Sequence, residues 1–390
     1  MFSSRLPSVL TPNALARAAE AVRASGVILL DLTVTNPTET GIPYPPGLLS
    51  SLDDARARRY RPEPLGHAEA RTAIAAQYGK SGPPVSAGDL VLTASTSEAY
   101  SVLFKLLADP GDVVLVPQPS YPLFDLLTRL DGVVARPYRL EYHGAWSIDR
   151  ASLEQGLQPD VRAVLVVSPN NPTGSMLRRA DREWLADLCA SRGAALIADE
   201  VFADYPLSRR PDAASLAGDA RALTFTLGGL SKSAGLPQLK LGWIVVSGPT
   251  ALRDDAMARL DVICDTYLSV STPVQIAAPV LLEHGRAIRA AIQDRITRNL
   301  SALRADVARV PAVTLLEPEG GWSVVLRVPA VPGEEAFVLR LLQDDHVVVH
   351  PGYFFDFSEE AFLVVSLLPD AATFDDGVMR LLRRAADGTR

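Results

Sequence analysis

Apolar residues along the chain alternate between short continuous runs and longer stretches of helical spacing. Runs at 90–93, 113–116, 133–140, 163–167 and 194–198 predict strands, and segments 97–108, 121–130 and 181–192 between them predict helices. The runs at 113–116 and 164–167 are apolar throughout rather than alternating. That pattern marks strands covered on both faces, as in a parallel or mostly parallel sheet. Two further runs, 222–227 and 241–247, predict a strand pair around a Gly228-Gly229 turn. From residue 272 the pattern changes. A helical stretch at 273–309, a strand at 322–328, a helix at 334–343, an apolar run at 347–350, a strand at 362–367 and a last helix predict a smaller α+β unit. The helix at 13–25 and the strand at 28–32 precede a Pro/Thr/Gly-rich loop at 35–46 and are expected to complete that unit. The expected fold is α/β, with a large domain at 46–275 and a small domain built from 1–45 and 276–390.

Bulk properties narrow the class. The chain has 390 residues, 48% of them hydrophobic and 21% charged, which suits a soluble globular protein of two domains. A net charge of -7 argues against a general nucleic-acid binder. No run of about 18 apolar residues predicts a membrane span, and the N-terminus carries no secretory h-region. Cys189 and Cys264 form neither a metal-ligand spacing nor a disulfide framework. The expected compartment is the reducing cytoplasm, and no metal is expected.

Chemistry-bearing residues gather at predicted strand ends, where open α/β sheets bind ligands. Ser95, Thr96 and Ser97 open a helix, a place that suits an anion and equally suits an ordinary N-cap. Asn170 and Asn171 follow the strand at 163–167, either as ligand donors or as a turn. Asp199 ends a buried strand and therefore calls for a cation or hydrogen-bond donors, whether from a ligand or from a structural ion pair. Tyr121 offers an aromatic face or core packing. Lys232 stands between two buried strands, an unusual setting for a long solvated side chain. Burial there lowers an amine's pKa and frees it to attack a carbonyl.

In this order the elements resemble the fold-type-I pyridoxal-phosphate enzymes, specifically the class I/II aminotransferases, over nearly the whole chain. The stretches that carry the resemblance are Asn171-Pro172-Thr173-Gly174, Asp199-Glu200-Val201, and Ser231-Lys232 followed by Lys240-Leu241-Gly242-Trp243. The resemblance implies pyridoxal 5'-phosphate as cofactor, held by Lys232 as an aldimine. It implies Asp199 on the ring nitrogen, Asn171 on the ring 3-oxygen, Tyr121 stacked on the ring, and Ser95, Thr96 and Ser97 around the phosphate. Ser231 belongs to the same lysine motif, and Lys240 stands where the family usually carries an arginine against the phosphate. Tyr60, before Gly66, resembles a tyrosine that reaches the neighbouring subunit's phosphate, which implies a homodimer with shared sites. The implied reaction moves an amino group between an amino donor and an oxo acid or aldehyde. A β-lyase, decarboxylase or racemase on the same fold is the alternative, and a non-catalytic sensor a remoter one.

Four positions depart from the family pattern. Phe202 replaces a tyrosine that donates to the ring 3-oxygen. Gly229 replaces a phosphate-binding Ser or Thr. Asn36 stands where many members place a glycine against the substrate. Val364, two residues before Ser366, occupies the place of the arginine that binds the substrate carboxylate. Either another cation serves, with Arg327 and His350 as candidates, or the substrate lacks a carboxylate there.

Overall fold

The computed structural model describes residues 2–78, 84–208, 215–268, 270–331 and 333–387. Eight strands form the central sheet: β1 (Leu90–Thr93), β2 (Val113–Gln118), β3 (Val134–Tyr142), β4 (Trp146–Ile148), β5 (Val161–Val167), β6 (Ala195–Asp199), β7 (Thr224–Gly229) and β8 (Gly242–Ser247). Their order across the sheet is β1-β8-β7-β6-β5-β2-β3-β4. The strands from β7 through β3 run parallel, while β8 is antiparallel to both its neighbours and β4 turns back on β3. The continuous apolar runs explain this placement. Every residue of β6, β7 and β8 is buried, and all of β5 except Arg162. One layer of side chains packs under Thr96–Leu107 and Thr250–Tyr267, the other under Arg179–Arg192.

A second, antiparallel sheet contains β9 (Thr314–Leu316), β10 (Ser323–Arg327), β11 (His350–Pro351) and β12 (Phe362–Ser366), in the order β9-β10-β12-β11. Its inner face, with Val324, Leu326, Leu363 and Val365, packs against the helices Thr272–Val307, Glu334–Asp345 and Ala371–Asp387. The N-terminal segment joins this unit through a parallel ladder of Leu30 with Val347 and Asp31 with Val348. Ser366 extends the link: its N–H donates to Leu32 O at 2.7 Å and its hydroxyl to Val34 O at 2.6 Å. The helix Thr272–Val307 runs 36 residues without a break, straight past position 275.

Two expectations change, and one long helix had none. Gly228 and Gly229 do not form a turn; they end β7, opposite Trp243 and Gly242. A Cβ on Gly228 would lie 2.4 Å from the Trp243 indole nitrogen, so the glycine answers to close packing across the ladder. The strand expected at 28–32 shortens to Leu30–Asp31. The helix Thr250–Tyr267 was not legible, because its fully buried stripe is only Ala256, Leu260 and Cys264 among many charged residues.

Candidate active site

The carboxyl ends of β5 and β6, the end of β7 and the start of the helix Thr96–Leu107 converge on one cleft. Lys232 enters it from a single helical turn, Leu230–Ser233, directly after β7. The turn is held from three sides. Leu230 N donates to Leu241 O at 2.9 Å, the Tyr205 hydroxyl to Lys232 O at 2.5 Å, and the Tyr44 hydroxyl to Gly235 O at 2.6 Å. The Lys232 side chain is largely buried. Its amine lies 4.8 Å from the centre of the Trp322 ring and 5.5 Å from that of Phe202. Burial pushes the ammonium down to about 8, against the opposing pull of the Asp199 charge.

The sign of this shift makes a testable consequence. A base with a lowered pKa is deprotonated at lower pH, so the free amine forms near pH 8 instead of above 10. The rate at which the cofactor-free protein captures pyridoxal phosphate is expected to rise through a midpoint near pH 8. Stopped-flow absorbance over pH 6 to 11 checks this, and a rise centred near the ordinary lysine value would refute it.

Asp199 closes β6 and is buried. One oxygen accepts the Tyr100 hydroxyl at 2.7 Å and the other accepts Val201 N–H at 3.1 Å. Burial raises its pKa, and these two donors and the Lys232 charge work against that rise. A cation bound against the carboxylate would relieve the same desolvation cost. Its neighbour Glu200 is a structural partner, accepting Ser215 Oγ at 2.6 Å and Leu216 N–H at 2.7 Å.

The two asparagines after β5 divide their roles. Asn170 is fully engaged: it donates to Pro119 O at 3.1 Å and Thr173 Oγ1 at 2.9 Å, and accepts Ser120 Oγ at 3.1 Å. Asn171 has its Oδ1 buried with no hydrogen-bond partner. A buried amide oxygen left in that state costs about 1–3 kcal/mol unless a donor completes it; turning the amide over by 180° brings its NH2 to the same point, ready to donate to a ligand oxygen. Gly174 closes the turn at φ +68°, where a Cβ would lie 2.6 Å from Pro318 Cβ and 2.7 Å from Gly320 O.

Ser95 caps the helix Thr96–Leu107: Glu98 N–H donates to its hydroxyl oxygen at 3.1 Å, and Glu98 in turn accepts the N–H of Ala94. The capping reading of Ser95 is therefore correct, and it leaves the hydroxyl proton of Ser95 and the first-turn amides at Thr96 and Ser97 to meet an anion. Gly242 brings the lysine segment against this loop, since a Cβ there would lie 3.0 Å from Ser95 C and 3.2 Å from Thr96 N. Gly229 has a similar reason: a Cβ would meet Leu241 O at 3.3 Å, so the serine or threonine of the family pattern would be crowded.

The remaining candidates separate. Tyr121 is part-exposed at the mouth, with its ring edge-on to Phe124 at 6.2 Å. Burial and then the Asp199 charge raise its hydroxyl pKa, which ties it to the same cleft. Ser231 lies half-buried beside Lys232, and Lys240 is exposed at φ 52°. Tyr60 is 70% exposed. Asn36 turns its side chain onto Thr38, accepting its N–H at 3.2 Å and its hydroxyl at 2.8 Å. Arg327 is not brought to the cleft. It lies exposed at the far end of β10, five residues beyond Trp322 and thus about 16 Å along the strand. His350 is largely buried beside Val364, its cross-strand partner. Tyr100 and Trp322 were missed in the sequence. Both read as core aromatics, and only the fold shows one on Asp199 and the other on the Lys232 amine.

A buried carboxylate, a low-pKa amine, an unsatisfied amide and an open helix start around one cleft fit an anionic aldehyde cofactor with a basic ring nitrogen. The comparisons with known proteins agree. The family model for aminotransferase class I and II matches residues 39–381. An alanine aminotransferase from Mycobacterium tuberculosis is 26% identical over 372 residues, covering 92% of this chain and 86% of the relative. The glutamate-pyruvate aminotransferase AlaA of Haemophilus influenzae is 24% identical over 374 residues, covering 92% and 91%. Among solved structures, alanine aminotransferase from Pyrococcus furiosus superposes with a TM-score of 0.89 at 21% identity, covering 99% of this chain and 100% of that one. The fold is that of the type I pyridoxal-phosphate enzymes. The chain belongs to the class I and II aminotransferase family, and its activity is that of a pyridoxal-phosphate-dependent aminotransferase.

Proposed function

We propose that Lys232 and Asp199 are the catalytic pair of this aminotransferase, acting on an amino donor and an oxo acid or aldehyde acceptor. The observation that carries the reading is the buried, low-pKa Lys232 amine in the cleft that Asp199 closes. Bound there, pyridoxal phosphate supplies an electron sink for the pair released at the substrate's α-carbon. Lys232 would hold the cofactor through its amine, and the same amine, when free, would move the substrate's α-proton. A deprotonated amine near neutral pH is suited to that work. Asp199 keeps a proton on the ring nitrogen by its negative charge, and Tyr100 fixes the orientation of the carboxylate. With its amide turned over so that the NH2 faces the ring, Asn171 would donate to the 3-oxygen; Phe202 offers no second donor there. Tyr121 would stack on the ring. Ser95, Thr96 and Ser97 take the phosphate, with Ser231 beside them and Lys240 adding a point charge.

The same reading makes the protein a cytoplasmic homodimer, whose large domain at 46–275 and small domain from 1–45 and 276–390 flank the cleft. One observation supports the shared site: the Tyr60 side chain stands in solvent, free to reach a neighbour. Tyr60 then reaches the partner subunit's phosphate. Mixing a Tyr60→Phe chain with a Lys232→Ala chain is expected to give more activity than the two homodimers together, because one site of each heterodimer is then intact. Confirmed subunit exchange without recovery would count against a role across the interface.

The activity itself is tested by a screen of amino acids and amines that follows the bound cofactor's absorbance from its aldehyde form to its amine form. Conversion that is reversed by oxo compounds is expected. Irreversible release of ammonia or carbon dioxide would overturn the reading.

A further inference from the structure

Behind the Lys232 turn lies a second cavity of about 400 Å³, within the size range of small-molecule sites. Neither Asp199 nor Lys232 lines it, but their chain neighbours Glu200 and Ser233 do. Alternation at the strand end explains the split. Asp199 turns to Tyr100, and Glu200 turns the other way, to Ser215 and Leu216. Gly229 lies between the two spaces: it lines the cavity, and a Cβ on it would stand 3.9 Å from Thr96 Cγ2.

One wall is a helix face. Leu282, Arg286 and Arg289 stand at i, i+4 and i+7 on the helix Thr272–Val307, and all three line the cavity. This face is fixed against the lysine turn, because a Cβ on Gly285 would lie 2.5 Å from Ala234 Cβ. Arg289 pairs with Asp204, and its side chain keeps 23% exposure, so part of its fork of donors is left over. Arg286 is exposed and, among the described residues, makes no hydrogen bond or ion pair.

The remaining walls supply hydrocarbon from Val201, Ala217 and the Trp243 ring. Tyr78 accepts Trp243 Nε1–H at 2.8 Å, and its own O–H has no acceptor. Burial keeps that hydroxyl protonated well above its ordinary range, so it is a donor at any working pH. The two carboxylates are already met: Glu200 by Ser215 and Leu216, Asp204 by Arg289. The unmet polar groups are therefore the Arg286 guanidinium and the Tyr78 O–H.

We propose that this cavity is a second ligand site, which takes a small organic monocarboxylate with its head on Arg286 and Arg289 and its hydrocarbon on Val201, Leu282 and Trp243. The planar fork of arginine matches the two oxygens of a carboxylate. Glu200 and Asp204 in the same walls oppose a second negative charge, which selects a monoanion over a phosphate dianion. Oxo acids belong to this class. The site therefore stands open to a compound of the enzyme's own reaction, bound outside the cofactor cleft.

The test is equilibrium dialysis of labelled hexanoate, which has neither an amino nor an oxo group, against the cofactor-loaded protein. One molecule per chain is expected, with Kd below about 1 mM, the scale of a few charge-assisted contacts. Acetate is expected to bind at least about tenfold more weakly, for want of a tail to bury. Arg286→Gln is expected to weaken hexanoate at least about tenfold, with the melting temperature unchanged because Arg286 holds nothing else. Ala203→Trp, placed at an exposed position of the lining, should block the cavity and abolish binding. Tyr121→Ala, in the cofactor cleft, should leave Kd unchanged. No saturable binding up to about 10 mM would overturn the proposal. So would binding that ignores Arg286→Gln and is lost in Tyr121→Ala, which would put the carboxylate in the cofactor cleft. Inorganic phosphate displacing hexanoate at a lower concentration than acetate does would overturn the choice of a carboxylate.

Discussion

Replacing Lys232 with alanine is expected to lower kcat/KM by about 10⁴-fold or more, the upper end of what one positioned proton-transfer group supplies. The loss is large because the amine acts twice, as the anchor of the cofactor and as the mover of the α-proton. The fold should survive. The turn is held by the Leu230 N–H on Leu241 O and by the Tyr205 and Tyr44 hydroxyls on Lys232 O and Gly235 O, none of which uses the Lys232 amine. Burial opposes the ammonium form, so removing it relieves a cost below about pH 8. Steady-state kinetics with the best donor and a thermal melt at pH 7 check both parts. Turnover within tenfold of the parent would remove Lys232 from the chemistry.

The second large effect is expected at Asp199. Asp199→Asn removes the charge and one of the two acceptors that now serve Tyr100 and Val201. Turnover should fall about 10²- to 10³-fold, the usual cost of losing one preorganised electrostatic contact. Cofactor should still bind, because Lys232 and the helix start at Thr96 remain. Absorbance of the loaded variant measures occupancy separately from rate. Near-normal turnover at full occupancy would show that the ring nitrogen does not depend on this carboxylate.

Much of this site is legible in the sequence. The apolar runs ending at Thr93, Val167 and Ala198 place the strand ends, and the residues just beyond them carry most of the proposed chemistry. The same logic found Lys232, because a long charged side chain between two buried strands needs a reason to be there. The turn assigned to Gly228-Gly229 was an error of a common kind. Glycine signals a turn, but it also marks a place where another group comes close, here the Trp243 ring. Partners brought from elsewhere in the chain left no local signal. Tyr100 lies on the buried face of a helix, 99 residues before Asp199, and reads as one more core aromatic. Trp322 reads as the start of a strand. Arg327 was proposed because arginine suits a carboxylate, but distance along β10 decides against it. His350 depends on register: only the pairing of β11 with β12 shows it beside Val364.

The central claim is that Lys232 holds the cofactor, and reductive trapping tests it most directly. The chain has four lysines: Lys80, Lys105, Lys232 and Lys240. Borohydride reduction of the loaded protein, followed by peptide mass mapping, is expected to place the pyridoxyl group on Lys232 alone. A stoichiometric adduct on Lys80, Lys105 or Lys240, with Lys232 unmodified, would contradict the account.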